Sequence, residues 1–242
     1  GLRVDAIFAQ PNQHTGLELI FGLSLFSIQL YTDFSAYTDI ARGVAKMLGF
    51  ELMHNFRTPL FSKSIPEFWT RWHISLTTWF RDYLFIWLAG INKKSLSWRI
   101  ISTILLFLII GFWHGANYTF IVFGLLSGLY FIPRILSRKS QRMRTILSFL
   151  NTNSFISKPT IFANFLLLSF TGVLFRSTSL THAFTYYKAV FNRDFFGLND
   201  FILAILPLGF GFMLFEWYNQ KKSHPFDLEN YPTWLRRTMY VL

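Results

Sequence analysis

Two histidines stand in aromatic-rich surroundings where ionisable side chains are scarce. His114 lies in Gly111-Phe-Trp-His-Gly-Ala-Asn117, at the end of an apolar run, and His73 lies among Trp69, Trp72, Leu76 and Phe80. An ionisable group at or near membrane depth is costly to hold, so each is a functional candidate by default. Each also has a structural alternative: a histidine bonded to a neighbouring helix, or one packed into a core. Cys is absent, which excludes a thiol nucleophile, a disulfide framework and a Cys-based metal site. No Ser nucleophile elbow, P-loop or Rossmann glycine pattern occurs. The two histidines are far apart in sequence and have no carboxylate at ligand spacing, so no metal centre is expected. An imidazole without a nucleophile partner fits general-base catalysis. The neutral ring takes the proton of an acceptor hydroxyl as that hydroxyl attacks an acyl donor, a step worth about 10²–10⁴-fold in rate. Burial favours the neutral ring.

The elements that position these residues are membrane helices. The chain is 52% hydrophobic, 20% aromatic and only 14% charged, and Phe alone occurs 30 times. An average soluble domain carries about 25% charged residues. A net charge of +11 would suggest nucleic acid in a soluble protein. Here the basic residues flank apolar runs, which points to membrane orientation and anionic lipid and excludes nucleic acid as a partner. A membrane helix needs about 20 mostly apolar residues. Spans are expected over residues 15–31 (continuing as a helix toward 48), 98–113, 117–135, 160–175 and 200–217. The second and third form a tight hairpin or one broken helix. Gly111 and Gly115, repeated in spacing by Gly124 and Gly128, permit close helix approach.

Orientation follows from Lys and Arg in short loops. Arg134, Arg138, Lys139, Arg142 and Arg144 mark one cytoplasmic segment, Lys221 and Lys222 another, and Lys93, Lys94 and Arg99 a third. Residues 176–199 and the 113–117 turn then face outward. Residues 66–90 are strongly aromatic yet charged. Trp69, Trp72, His73, Leu76 and Phe80 fall at i, i+3, i+4, i+7 and i+11 on one helical face, and Arg71, Ser75, Thr78 and Asp82 on another. That predicts an amphipathic or re-entrant helix, started by Ser64, Pro66 and Glu67. A weaker amphipathic helix is expected over residues 180–191, and a polar connector over 137–158. Gln29, Asp33 and Tyr37 form a polar stripe on the first helix, where Asp33 either tunes a site or bonds across helices. His14, His54, His182 and His224 are read as loop residues without a chemical role. Because the chain starts at Gly1, and 236–242 resembles the start of another apolar run, we read it as an internal piece of a longer protein.

The motifs carry a resemblance. Glu67-Phe-Trp-Thr-Arg-Trp-His-Ile-Ser-Leu-Thr-Thr-Trp-Phe-Arg-Asp-Tyr-Leu84 closely resembles the signature of the membrane-bound O-acyltransferase family, and the His114 motif resembles that family's second histidine motif. Tyr31-Thr-Asp-Phe-Ser-Ala-Tyr-Thr-Asp39 and Leu48-Gly-Phe50 resemble its bacterial branch, which includes alginate O-acetyltransferases and the teichoic-acid D-alanyl transfer protein. The likeness is strong over residues 29–133. Beyond that it rests on hydropathy and on Leu174-Phe-Arg176. Residues 53–58 and Trp87-Leu-Ala-Gly90 depart from the family pattern. The resemblance implies an all-α integral membrane fold, a multi-pass helical ring with funnels from both sides. The chain would be one partial membrane-embedded acyltransferase domain over residues 1–242, lacking N-terminal helices and a last span. It implies His114 as the catalytic histidine and His73 as a second. Trp113, Asn117, Arg71, Trp72, Arg81, Asp82 and Asp33 are expected to bind substrate or support the site. No bound cofactor or metal is implied. The acyl donor, acetyl-CoA or an acyl carrier thioester, would arrive from the cytoplasm. The acceptor, a polysaccharide or a periplasmic acetyltransferase partner, would approach from outside, in a bacterial inner membrane. The leading expectation is O-acetylation of an exported alginate-like polysaccharide. The alternatives are acyl or D-alanyl transfer to another envelope polymer, and a transporter or scaffold without enzymatic activity.

Overall fold

Thr15 opens the longest helix with a reciprocal cap. Its hydroxyl accepts the Glu18 N–H at 3.3 Å, and the Glu18 carboxylate accepts the Thr15 N–H at 3.2 Å. That helix belongs to a computed structural model describing residues 2–152, 154–191, 195–197, 200–220 and 232–234. The described residues are all helical or irregular. In chain order the helices are α1 (Leu2–Ala9), α2 (Gly16–Met47), α3 (Ile65–Arg71), α4 (Ile74–Phe80), α5 (Ile86–Gly90), α6 (Leu96–His114), α7 (Tyr118–Leu129) and α8 (Ile132–Leu136). They continue with α9 (Gln141–Thr152), α10 (Ser154–Arg176), α11 (Leu180–Val190) and α12 (Asp200–Asn219). A π-helical turn, Arg81–Phe85, joins α4 to α5.

Among the described residues, four stretches are long and apolar enough to cross a membrane: Gly16–Met47, Leu96–His114, Tyr118–Leu136 and Lys158–Arg176. The fifth expected span falls within α12. The expected hairpin is α6 packed on α7. A methyl on Gly111 would strike the Phe120 carbonyl, and one on Gly124 would strike the Phe107 carbonyl. Glycine at both places lets the two backbones touch.

Polar contacts gather the ends expected to face outward. Asn117 Nδ2 donates to the Thr178 carbonyl at 2.8 Å, Thr15 Oγ1 donates to the Gly197 carbonyl at 2.8 Å, and Arg176 pairs with Asp5. The α2 start, the α6–α7 turn and the α10 end therefore share one end of the molecule. Arg99, in the first turn of α6, and Arg134 and Arg138, at the α8 end, lie at the opposite one. This segregation of basic residues is the one predicted from loop charge. Lys221, Lys222, His224 and the 236–242 run lie outside the described residues.

Three expectations need correction. Residues 137–158 are largely helical, as α9 and the start of α10, because Gln141–Thr152 carries an amphipathic pattern despite its polarity. His182 lies in the first turn of α11, with Nε2 at 2.8 Å from the Phe8 carbonyl of α1, a helix the sequence reading did not anticipate. The expected single helix over residues 66–90 is interrupted. Ser64 does cap it, accepting the Glu67 N–H at 3.3 Å. At His73, however, the backbone enters the left-handed region, with φ 44° and ψ 54°. In an unbroken helix the N–H groups of Ile74 and Ser75 would bond the carbonyls of Thr70 and Arg71. Instead they donate to the Asn55 backbone carbonyl and to Asn55 Oδ1, each at 3.0 Å. Arg57 N–H takes the Arg71 carbonyl at 3.0 Å. The loop before α3 thus replaces the helical bonds that the break gives up.

Candidate active site

The break at His73 turns its ring into a chamber shared with His114. The cavity measures about 110 Å³, and its walls include Phe34, Trp72, Phe123 and Phe175. The His73 ring meets Phe34 edge-on at 4.8 Å and Trp113 at 6.1 Å between centroids. Its Nδ1 is buried and has no hydrogen-bond partner. His73 lies outside the four spans, and burial holds its imidazole below the ordinary histidine value. His114 is the last residue of α6. Its ring packs against Phe175 at 4.9 Å, Trp113 at 5.0 Å and Phe123 at 6.3 Å. Trp113 therefore touches both imidazoles. Among the described residues no carboxylate bonds either ring, so ring packing and backbone geometry alone orient them. No group of three His, Asp or Glu side chains gathers as a metal site among the described residues.

The other expected residues divide into three sets. Trp72 lines the chamber, stacked on Phe68 at 5.4 Å, and Trp113, itself exposed, packs behind both imidazoles. Arg71 and Asn117 hold the frame. Arg71 pairs with Glu67 at 2.6 Å, and its Nη1 lies 3.5 Å from the Thr58 carbonyl of the preceding loop. Asn117 Oδ1 caps α7 by accepting the Thr119 N–H at 3.1 Å. Arg81 and Asp82 are exposed and paired to each other at 2.7 and 3.2 Å. Arg81 lines a separate cleft, and Asp33 is exposed on α2, away from the chamber lining.

The sequence reading missed several neighbours. Ser169 lines the chamber from α10, fully buried, and its hydroxyl has no partner. A lone Ser in an apolar span gave no signal. Phe175 belongs to the Leu174-Phe-Arg176 match but was not assigned to the site. Glu216 of α12 is buried and accepts the Tyr31 hydroxyl at 3.0 Å. Tyr31 packs on Trp72 at 6.1 Å, which sets this carboxylate one ring behind the chamber wall. Tyr31 and Glu216 are 185 residues apart, so only the fold brings them together.

Comparisons with known proteins bear on the whole arrangement. The family model MBOAT, membrane-bound O-acyltransferase family, matches residues 5–177. A probable alginate O-acetylase of Pseudomonas aeruginosa is 38% identical over 231 residues, covering 89% of this chain and 42% of that protein. A peptidoglycan O-acetyltransferase of Helicobacter pylori is 41% identical over 143 residues, covering 57% of this chain and 27% of its own length. A teichoic acid D-alanyltransferase of Bacillus subtilis is 41% identical over 108 residues, covering 41% of this chain and 27% of its own length. The chain spans less than half the length of these curated relatives.

Proposed function

Because the chain belongs to the membrane-bound O-acyltransferase family, we propose that it forms the acyl-transfer part of an enzyme that acetylates hydroxyls of an exported envelope polysaccharide. The observation that carries this reading is the shared chamber: two imidazoles, walled by aromatic rings and free of competing carboxylates. His114 acts as general base. It takes the proton of the acceptor hydroxyl while the hydroxyl oxygen bonds the acyl carbon. As the carbon–sulfur bond of a thioester donor breaks, the imidazolium returns the proton to the departing sulfur. His73 contributes as a second imidazole in the same chamber. The aromatic shell excludes bulk water, which protects the thioester from hydrolysis.

Acetyl is favoured over an aminoacyl group by the chamber lining. Among the described residues it contains no acidic side chain. An alanyl ammonium would be desolvated there without a counter-charge. Alginate-like polysaccharide is the favoured acceptor, because the relatives named as alginate O-acetylases align with most of this chain, and those named for other polymers with less of it. The same reading includes a multi-pass position in a bacterial inner membrane, supported by the basic residues at one end. It also includes a donor reaching the chamber from the cytoplasm, and an acceptor or periplasmic acetyltransferase partner outside.

The test uses the full-length protein in lipid nanodiscs with labelled acetyl-CoA or acetylated carrier protein, and de-acetylated alginate or the periplasmic partner as acceptor. His114→Gln is expected to lower transfer by about 10²–10⁴-fold. Undiminished transfer by His114→Gln refutes the general-base role. Transfer of D-alanyl but not acetyl refutes the choice of acyl group.

A further inference from the structure

The histidine chamber holds polar atoms that the fold itself leaves unused. Trp69 Nε1, His73 Nδ1 and Ser169 Oγ are buried without a hydrogen-bond partner, and all three side chains line the chamber. A buried polar atom without a partner bears its full desolvation cost, so it calls for a physical account. The three are not equivalent. The Trp69 ring also lines the cleft of Arg81, Arg99, Arg134 and Arg138 and divides that cleft from the chamber, so its N–H can serve either side. His73 already belongs to the chemistry. Ser169 lines the chamber and not the cleft, and its side chain is wholly buried.

A helical serine or threonine has an easy way to satisfy its hydroxyl, which is to donate to the carbonyl four residues back. Ser27 and Thr171, which line the same chamber, do this, to the Leu23 carbonyl at 3.1 Å and the Leu167 carbonyl at 2.8 Å. Ser102 and Thr103 of α6 do the same. Ser169 makes no such bond to Phe165, so its donor stays available to whatever occupies the chamber. Its depth also fits a role. Six residues of α10, about 9 Å of helical rise, separate it from Phe175, the ring packed on His114. Ser169 is thus displaced from His114 toward the end that carries Arg99, Arg134 and Arg138. An imidazole about 3 Å from the acceptor oxygen, that oxygen about 3 Å from the acyl carbon, and a hydroxyl about 3 Å from the carbonyl oxygen together cover such a span.

We propose that Ser169 is a catalytic hydrogen-bond donor whose hydroxyl binds the carbonyl oxygen of the acyl group and stabilises the negative charge that forms there. The proposal rests on the acyl-transfer reading above and adds a residue to it. As the acceptor oxygen bonds the acyl carbon, His114 takes the acceptor's proton and the carbonyl π pair moves onto the carbonyl oxygen. Ser169 donates to that oxygen without giving up its own proton. The pair then returns to re-form the carbonyl, the carbon–sulfur bond breaks, and the sulfur takes the proton from His114. A donor fixed in a water-poor chamber acts most strongly on the transition state, where the oxygen carries the most charge.

The full-length protein in nanodiscs is assayed with labelled acetyl-CoA or acetylated carrier protein. Ser169→Ala is expected to lower kcat by about 10²–10³-fold with the KM for the acetyl donor little changed. Ser169→Thr keeps the hydroxyl and should recover most of the rate. A second readout does not depend on turnover. A methyl ketone with an isotope-labelled carbonyl, S-acetonyl-coenzyme A or the same ketone on the carrier-protein thiol, is bound, and its carbonyl stretch is read by infrared difference spectroscopy. A hydrogen bond from Ser169 lowers that frequency in the parent. Ser169→Ala should raise it, and His114→Gln should leave it in place. Undiminished transfer by His114→Gln with a band that moves in Ser169→Ala refutes the general base and keeps the Ser169 contact. Lost transfer in His114→Gln with an unmoved band in Ser169→Ala overturns the proposal and leaves the general base. Parent-like kcat in Ser169→Ala, or no lowered carbonyl band in the parent with either ketone, overturns it as well.

Discussion

Replacing Asn55 by Ala should disable the site without touching either histidine. The Asn55 Oδ1 accepts the Ser75 N–H at 3.0 Å, on the C-terminal side of the break at His73. Losing that bond costs about 1 kcal/mol, and up to about 3 kcal/mol where the freed N–H finds no water. Ser75 is half-buried, so about 1–2 kcal/mol is the reasonable range. The joint it supports is strained: a non-glycine residue held at φ 44° carries about 1–3 kcal/mol. Removing the support lets α3 and α4 relax toward the continuous helix that their apolar spacing favours. The His73 ring then loses its set position in the chamber wall. A shift of 1–2 kcal/mol is a factor of about 5–30 in the ratio of broken to continuous form. Acetyl transfer by full-length Asn55→Ala should fall by up to that factor. Hydrogen exchange at Ile74 and Ser75 should rise in parallel, and Asn55→Asp, which keeps the acceptor oxygen, should stay near the parent. Parent-like transfer together with unchanged exchange at Ser75 would refute the reasoning and leave the Ile74–Asn55 and Arg57–Arg71 backbone bonds as the support of the break.

Three further outcomes follow from other parts of the structure. His73 has a folded pKa below its unfolded value of about 6.5, so the unfolded chain binds more protons in that window. Its contribution to stability is therefore complete above about pH 6.5 and is lost as the pH falls toward the lowered value. Thermal midpoints measured against pH should show this acid-side loss, and His73→Gln should flatten it. Gly124→Ala drives a methyl into the Phe107 carbonyl, which should cost about 1–3 kcal/mol in unfolding measurements and displace His114 at the top of α6. Gly43→Ala, at an interior position of α2 with open space around it, should instead stabilise by about 0.5–1 kcal/mol in the same assay. Tyr31→Phe removes the hydroxyl that donates to buried Glu216 and should lower stability by about 1.5–3 kcal/mol, read as a reduced thermal midpoint in detergent.

Much of the frame was legible because it depends on local patterns. Apolar length gave the spans, loop charge gave their common sidedness, and the Gly111–Gly128 spacing gave the hairpin. Ser64 and Glu67 gave the start of α3. The break at His73 was not legible because its cause lies outside the segment that breaks. Within residues 66–90 every periodic cue favours one helix, and the bonds that overrule it come from Asn55 and Arg57. Those residues fall in the 53–58 stretch that departs from the family pattern, so the one available sign was a departure without a physical reading. The Tyr31–Glu216 pair was hidden by separation in sequence. Asp33 shows the opposite failure. Helical spacing placed it on a polar stripe, but spacing alone does not say whether a stripe faces a chamber or the exterior.

The two histidines are mounted differently, and the mounting argues for different duties. His114 ends a helix whose backbone lies against that of α7 through Gly111 and Gly124, and its ring is enclosed by Phe175, Phe123 and Trp113. A general base must be held within hydrogen-bond reach of the hydroxyl, and a displacement of about 1 Å can cost 10²-fold. The rigid mount suits that demand. His73 sits instead on a strained joint, four residues beyond Trp69, the side chain that divides the arginine cleft from the chamber. A displacement of α3 that opens this partition must pass through Trp72 to His73, because no other residue separates α3 from the joint. The same connection runs in reverse, so a ring set correctly in the chamber favours one position of Trp69. On the proposed reading, the close packing behind His114 suits proton transfer, and the strained joint at His73 suits a positioning role between α3 and the chamber.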